Sequence, residues 1–116
     1  LIGAGWLPGR STDHIETILA KKLGAKIVVN ISNVDRLYDK DPNKHQNAKP
    51  VAQMDWKTYR KMVGNKWSPG LNAPFDPIAS KVAQQSGLKV ILVGGSSVVN
   101  IEKIFEGRSY MGSVIR

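Results

Sequence analysis

Short aliphatic, β-branched runs alternate along this chain with segments whose apolar residues recur every three or four positions, and glycine- or proline-rich polar stretches separate them. Leu1 to Ala4, Ala25 to Val29, Leu88 to Val93 and Tyr110 to Ile115 read as strands. Ile15, Ile18, Leu19 and Leu23 recur at helical steps, with Ser11 or Thr12 positioned to cap that helix and Gly24 to stop it. A second helix is predicted over Met54 to Val63, with Asp55 near its start. A third begins near Asp76-Pro77, because proline suits a helix's first turn, and runs through Ile78, Val82 and Ala83 to Ser86-Gly87. A fourth spans Asn100 to Phe105 and ends at Gly107. Gly5 to Ser11 is a loop, and Gly64 to Asn72 is another that carries Trp67 and Pro69. Val34 to Pro50 is polar, and its Asp41-Pro42 and Lys49-Pro50 pairs predict turns rather than regular structure. Repeated β-loop-α units predict an α/β fold with a mainly parallel sheet covered by helices, a single unit over residues 1–116. There is no internal repeat and no low-complexity tract.

Chemistry concentrates where the apolar runs break. After Val29 come Asn30, Ile31, Ser32 and Asn33, then Tyr38 and Asp41-Pro42, the pattern of a buried strand ending in a ligand-facing loop. Open α/β sheets bind nucleotides at such strand ends. Ser32 and Asn33 can hydrogen-bond a base or ribose, Tyr38 can line a base pocket, and Asp41 can accept from ribose hydroxyls. The competing reading is a polar turn in which Asp41-Pro42 merely reverses the chain. The loop Gly5-Trp6-Leu7-Pro8-Gly9-Arg10-Ser11-Thr12-Asp13 precedes a helix, whose free N-H groups and partial positive charge suit a phosphate. The same residues also make a plain helix cap, and the Gly-Lys-Ser/Thr ending of a Walker loop is missing. Asp13 either supports the helix dipole or orders cations around a transferring phosphoryl group. Trp6, Trp56 and Trp67 read as core or interface residues, and His14 and His45 lack a partner pattern for metal binding or catalysis.

Composition narrows the class further. The 116 residues, 41% hydrophobic and 22% charged, suit one small globular domain. The absence of cysteine excludes a disulfide framework, a thiolate nucleophile and a cysteine zinc site. The net charge of +8 is spread: residues 1–60 hold ten Lys/Arg against six Asp/Glu, and residues 61–116 hold seven against three. That distribution reads as a solvated basic surface suited to small anions rather than a nucleic-acid footprint. No apolar run approaches the ~20 residues of a membrane span, so no membrane partner is expected, and a cytoplasmic setting is. The opening Leu1-Ile2-Gly3-Ala4-Gly5 is apolar with no polar lead-in, as in a piece of a longer chain.

The two loops at their observed spacing, Pro8-Gly9-Arg10-Ser11-Thr12-Asp13 and Ser32-Asn33-Val34-Asp35-Arg36-Leu37-Tyr38-Asp39-Lys40-Asp41-Pro42, resemble the amino acid kinase family, and within it the archaeal-type UMP kinases. Asp76-Pro77-Ile78-Ala79-Ser80-Lys81, the strand near Val90 to Val93 and the closing Gly112-Ser113-Val114-Ile115 continue the resemblance over nearly the whole chain. It implies the carboxyl half of a three-layer α/β/α sandwich and a parent enzyme that transfers a phosphoryl group from MgATP to UMP, giving ADP and UDP. Trp6, Leu7, Pro8, Gly9, Arg10, Ser11 and Thr12 then fall in the UMP-contacting segment, and Ser32, Asn33, Tyr38 and Asp41 at ATP-contacting positions. Asp13 matches an aspartate that orders phosphate-binding lysines in relatives, and Asp76 lies in the same catalytic region; the resemblance carries over no metal ligand. Relatives form symmetric hexamers, so a homo-oligomer is expected. Ser32 stands where threonine is usual and keeps the hydroxyl; Arg36 stands where glycine is usual and puts a cation by the ATP loop. The family's amino-terminal Gly-rich loop and phosphate-holding cation have no counterpart in this chain, and this piece alone is expected to be inactive. The alternatives are a kinase for another small acid or phosphate acceptor, and a non-catalytic nucleotide-binding or storage subunit of the same fold.

Overall fold

The computed structural model describes residues 3, 5–42, 44–66 and 73–116. Helix α1 (Thr12–Leu23) starts at Ser11, whose side chain accepts from the His14 N-H, and stops at Gly24, whose φ of 71° is the left-handed conformation that glycine adopts without a Cβ penalty. The chain then enters strand β1 (Ile27–Ser32), passes through the short strands β2 (Leu37–Tyr38), β3 (Pro50–Val51) and β4 (Gln53–Met54), and forms α2 (Trp56–Val63), capped by Asp55. Helix α3 (Pro77–Gln85) is capped by Asp76 with Pro77 in its first turn, and leads into β5 (Lys89–Gly94), α4 (Val98–Phe105) and β6 (Ser113–Ile115).

The main sheet runs β1-β5-β6-β4. β1 pairs with β5 and β4 with β6 in parallel, while β5 and β6 are antiparallel, so the sheet is mainly parallel as predicted. Val90, Ile91, Leu92 and Val93 of β5 are all buried, as expected of a strand at the centre of a covered sheet. Helix α3 packs against both α1 and α2, and α1 also packs on β1. The core joins these layers through Leu37, Tyr59, Phe75, Ala79, Val90, Leu92 and Ile115, none of which reaches solvent.

Several boundaries move from the sequence reading, each for a tertiary reason. β1 extends through Asn30, Ile31 and Ser32, which polarity marks as loop, because β5 pairs with it from Ile27↔Lys89 to Ser32↔Gly94. Backbone pairing is indifferent to side-chain polarity, and the buried Asn30 amide donates to the Pro74 carbonyl at 3.5 Å. The 34–50 segment is not wholly irregular, since β2 pairs antiparallel with β3. The last strand is shorter than predicted because Asn100 of α4 clamps the Met111 backbone, donating to its carbonyl at 2.7 Å and accepting from its N-H at 2.8 Å. Trp56 is core, its indole N-H donating to the Leu88 carbonyl at 2.9 Å, whereas Trp6 is 60% exposed and belongs to no core. The predicted first strand rests on Leu1, Ile2 and Ala4, outside the described residues, as are Trp67 and Pro69; Gly3 is in no strand.

Candidate active site

Parallel pairing of β1 and β5 brings their carboxyl ends together: the Gly95 N-H donates to the Ser32 carbonyl at 2.8 Å, and a Cβ on Gly94 would meet the Asp35 backbone at 3.3 Å. Each strand follows a helix, α1 before β1 and α3 before β5. The helix starts therefore return to the end of the sheet where the strands finish, and one hydrogen bond ties them: the Asp76 N-H donates to Asp13 Oδ2 at 2.8 Å across 63 residues of sequence. The two predicted catalytic carboxylates are thus neighbours, at the two helix N-termini. Asp13 is not a cap for its own helix, a task that Ser11 performs; its carboxylate holds the capping residue of the other helix.

Asp76 is only 4% exposed. Its Oδ1 accepts from the Ala79 N-H at 2.6 Å, the Ser80 hydroxyl donates to its carbonyl at 2.7 Å, and its Oδ2 is buried with no hydrogen-bond partner among the described residues. The bend before it is pinned by Tyr59 of α2, whose hydroxyl accepts from the Phe75 N-H at 2.7 Å and donates to the Phe75 carbonyl at 2.8 Å. Burial pushes the Asp13 carboxyl up, and the Asp76 charge adds to this, while the Asp76 N-H pulls it down.

Sequence reasoning passes over one more side chain in this neighbourhood, Glu16, and sets aside another, His14. Glu16 lies one turn after Asp13, half-buried, with Oε1 enclosed and unpartnered among the described residues. Burial, reinforced by the charge of Asp13, pushes its carboxyl up to about 8. His14 is 7% exposed and stacks nearly parallel on Trp6, with ring centroids 6.3 Å apart and 8° between planes. Burial and then the Arg10 charge lower its pKa, against an opposing pull from Asp76, so the ring is neutral at pH 7. The available signal is positional: with Asp13 at i, Glu16 and Thr17 fall at i+3 and i+4, so Glu16 is a polar residue on the inward side of α1.

The 6–12 segment, expected to contact the acceptor, is exposed from Trp6 to Arg10, and Arg10 donates to its neighbouring Gly9 carbonyl at 3.1 Å. Ser11 is the helix cap and Thr12 the first helical residue. Of the residues expected to contact ATP, Tyr38 and Asp41 line a hollow of about 340 Å³ together with Val34, Arg36, Lys40, Lys44, Met62, Val63 and Pro74. Apolar walls with three cations and a carboxylate suit a nucleotide, whose base is flat and whose phosphates are anionic. Ser32 and Asn33 do not line it. The Ser32 hydroxyl instead accepts from the Val34 N-H at 3.1 Å and shapes the turn, and Asn33 is exposed. Arg36 forms an ion pair with Asp35 at 3.1 Å at the rim of this hollow. Among the described residues no group of three or more His, Cys, Asp or Glu is placed to hold a metal ion. No helix among the described residues is long and apolar enough to cross a membrane.

This is an α/β fold in which the carboxyl ends of the parallel strands β1 and β5 and the starts of α1 and α3 lie at one end of the sheet. A model of the amino acid kinase family matches residues 5–94, and the chain belongs to that family. The uridylate kinase of Pyrococcus abyssi is 32% identical over 90% of this chain and 47% of its own length, and that of Hyperthermus butylicus is 29% identical over 99% and 50%. The solved uridylate kinase from Archaeoglobus fulgidus superposes with a TM-score of 0.78 at 29% identity, covering 97% of this chain and 50% of the other. The UMP kinase from Bacillus anthracis, at 17% identity and a TM-score of 0.76 over 95% and 42%, shares the fold. The chain spans about half the length of the curated relatives it matches.

Proposed function

We propose that this chain carries the nucleotide-binding, carboxyl-terminal half of a kinase that transfers the γ-phosphoryl group of ATP to UMP, releasing ADP and UDP. The observation that supports this most is the bond from the Asp76 N-H to Asp13, which joins two helix N-termini and two carboxylates beside the strand ends. Phosphoryl transfer of this kind needs positioning and charge balance rather than a covalent intermediate. In this reading Asp13 holds cationic side chains of the remaining half over the phosphates, and its own position is set by the Asp76 backbone. Tyr38 and Asp41 contact the adenosine, and the 6–12 segment contacts the acceptor, with the N-H groups of the α1 start facing its phosphate. Ser32 and Asn33 act on the nucleotide through the shape of the loop rather than from the hollow itself. The hexameric state of relatives extends to this protein as part of the same reading.

The acceptor is the part that the remaining half helps to choose, and solved relatives of this fold include an isopentenyl phosphate kinase and an aspartokinase. The test is ADP release by the full-length polypeptide carrying these residues, measured with UMP, CMP, isopentenyl phosphate or aspartate, and with no acceptor. UMP should give the highest kcat/KM. A higher value for another acceptor reassigns the substrate, and bound ATP with no release above the acceptor-free rate makes the protein a non-catalytic nucleotide binder.

A further inference from the structure

We propose that Glu16 is a positioning residue that acts through Asp13, its carboxyl group sitting one turn further along the inward side of α1 and setting the electrostatic surroundings of the Asp13 carboxylate. The inference rests on the phosphoryl-transfer reading above and adds to it a residue that neither the motif nor the family match singles out. Residues three apart on a helix are surface neighbours, so Glu16 and Asp13 face the same ground. On that ground acceptors outnumber donors. Asp13 Oδ2 already takes the Asp76 N-H, Asp76 Oδ2 is enclosed without a partner among the described residues, and so is Glu16 Oε1. The His14 Nδ1 is a further enclosed and unpartnered atom on the same turn.

A carboxylate buried without donors is costly; a carboxylic acid in the same place loses the charge and becomes a donor. Burial and the Asp13 charge both hold the Glu16 proton on, to about pH 8. No other group nearby among the described residues reverses this. Asp13 and His14 share its helix, Asp76 heads α3, and Arg10 precedes α1. Burial, and then the charges of both aspartates, push Tyr59 of α2 above its ordinary range, so it stays neutral. Lys81 of α3 is exposed, and β1 contains no titratable residue. Near neutral pH Glu16 is therefore an acid beside Asp13. When Glu16 ionises, it adds a negative charge beside Asp13 where an anionic phosphoryl group must pass, and this opposes transfer.

The test is carboxyl ¹³C NMR of the full-length protein, selectively labelled at Asp and Glu, with kcat followed over the same pH range. Glu16 should titrate near pH 8, and the Asp13 resonance should show an inflection at that pH which is absent in Glu16→Gln. The kcat for ATP and UMP should fall about tenfold per pH unit above that break. The Glu16→Gln variant should lack this limb, with the KM for ATP unmoved by pH. Glu16 titrating near 4.5, or an Asp13 inflection that persists in Glu16→Gln, overturns the proposal. If Glu16→Gln does not fold, the two wild-type titrations decide: inflections at different pH values overturn it. A protein that binds ATP but turns over no acceptor would fail the kinase reading while the NMR titrations still judged the Glu16–Asp13 link.

Discussion

Replacing Tyr59 by phenylalanine removes one oxygen and orphans two backbone groups. The hydroxyl is the partner of both the N-H and the carbonyl of Phe75, at 2.7 and 2.8 Å, and neither residue is exposed. Water cannot replace it without opening the seam between α2 and α3. Each buried polar group left unpaired costs about 1–3 kcal/mol, and some relaxation of the 73–76 turn lowers the sum, so Tyr59→Phe should destabilise by about 2–4 kcal/mol. With a urea slope of about 1–3 kcal/mol per molar, the unfolding midpoint should drop by roughly 1–2 M at unchanged slope. Phe75 is followed directly by Asp76, whose N-H sets Asp13, so turnover in the folded variant should fall as well. The measurement is urea unfolding of full-length wild type and variant at one protein concentration, with kcat taken well below the midpoint. A loss below about 0.5 kcal/mol, less than a typical single hydrogen bond contributes, would show that the two bonds do not hold the head of α3 and would leave the Asp13–Asp76 pair without its structural support.

Asp41→Ala should weaken ATP binding about tenfold or more in calorimetry, the equivalent of one hydrogen bond to a charged acceptor at roughly 1.5–3 kcal/mol, with UMP affinity nearly unchanged; equal weakening of both ligands would indicate a structural role. Asp13→Asn keeps an oxygen for the Asp76 N-H but loses the charge, so turnover should fall steeply while the melting temperature changes little; unchanged kcat at saturating ATP and UMP would leave Asp13 only its task of holding α3. Gly112→Ala would drive a Cβ to 2.5 Å from the Leu92 carbonyl of the central strand and 3.3 Å from the Tyr110 ring. It should cost about 1–3 kcal/mol in unfolding free energy, and a neutral result would mean that the Asn100–Met111 clamp yields easily.

Much of this architecture is legible along the chain because the forces that make it are local. Ser11, Asp55 and Asp76 each satisfy an N-H three residues on, Gly24 takes the conformation that other residues avoid, and Pro77 gives up an N-H that a helix start does not need. These are contacts within one turn, so four helices and the central strands can be read in order. The two loop motifs carry the family for the same reason: their residues are contiguous.

The rest depends on which segments meet. Polarity marks Asn30 and Ser32 as loop, yet β5 extends the strand over them because backbone hydrogen bonds follow the partner strand and not the side chains. The antiparallel β6 and the β2–β3 pair follow from which strands meet, and Trp6 stays exposed because it stacks on His14 of α1 and joins no core. That Asp13 and Asp76 each stand at a helix start can be read residue by residue; that the two starts are one place emerges only when α1 and α3 pack together. The same holds for Glu16, an ordinary surface residue by composition that becomes a proton-holding acid through burial beside Asp13. Caps and periodicity act over three or four residues. The Asp76 N-H and charge that act on the Asp13 carboxyl are brought by an element from 63 residues away, and those the chain records only once it is folded.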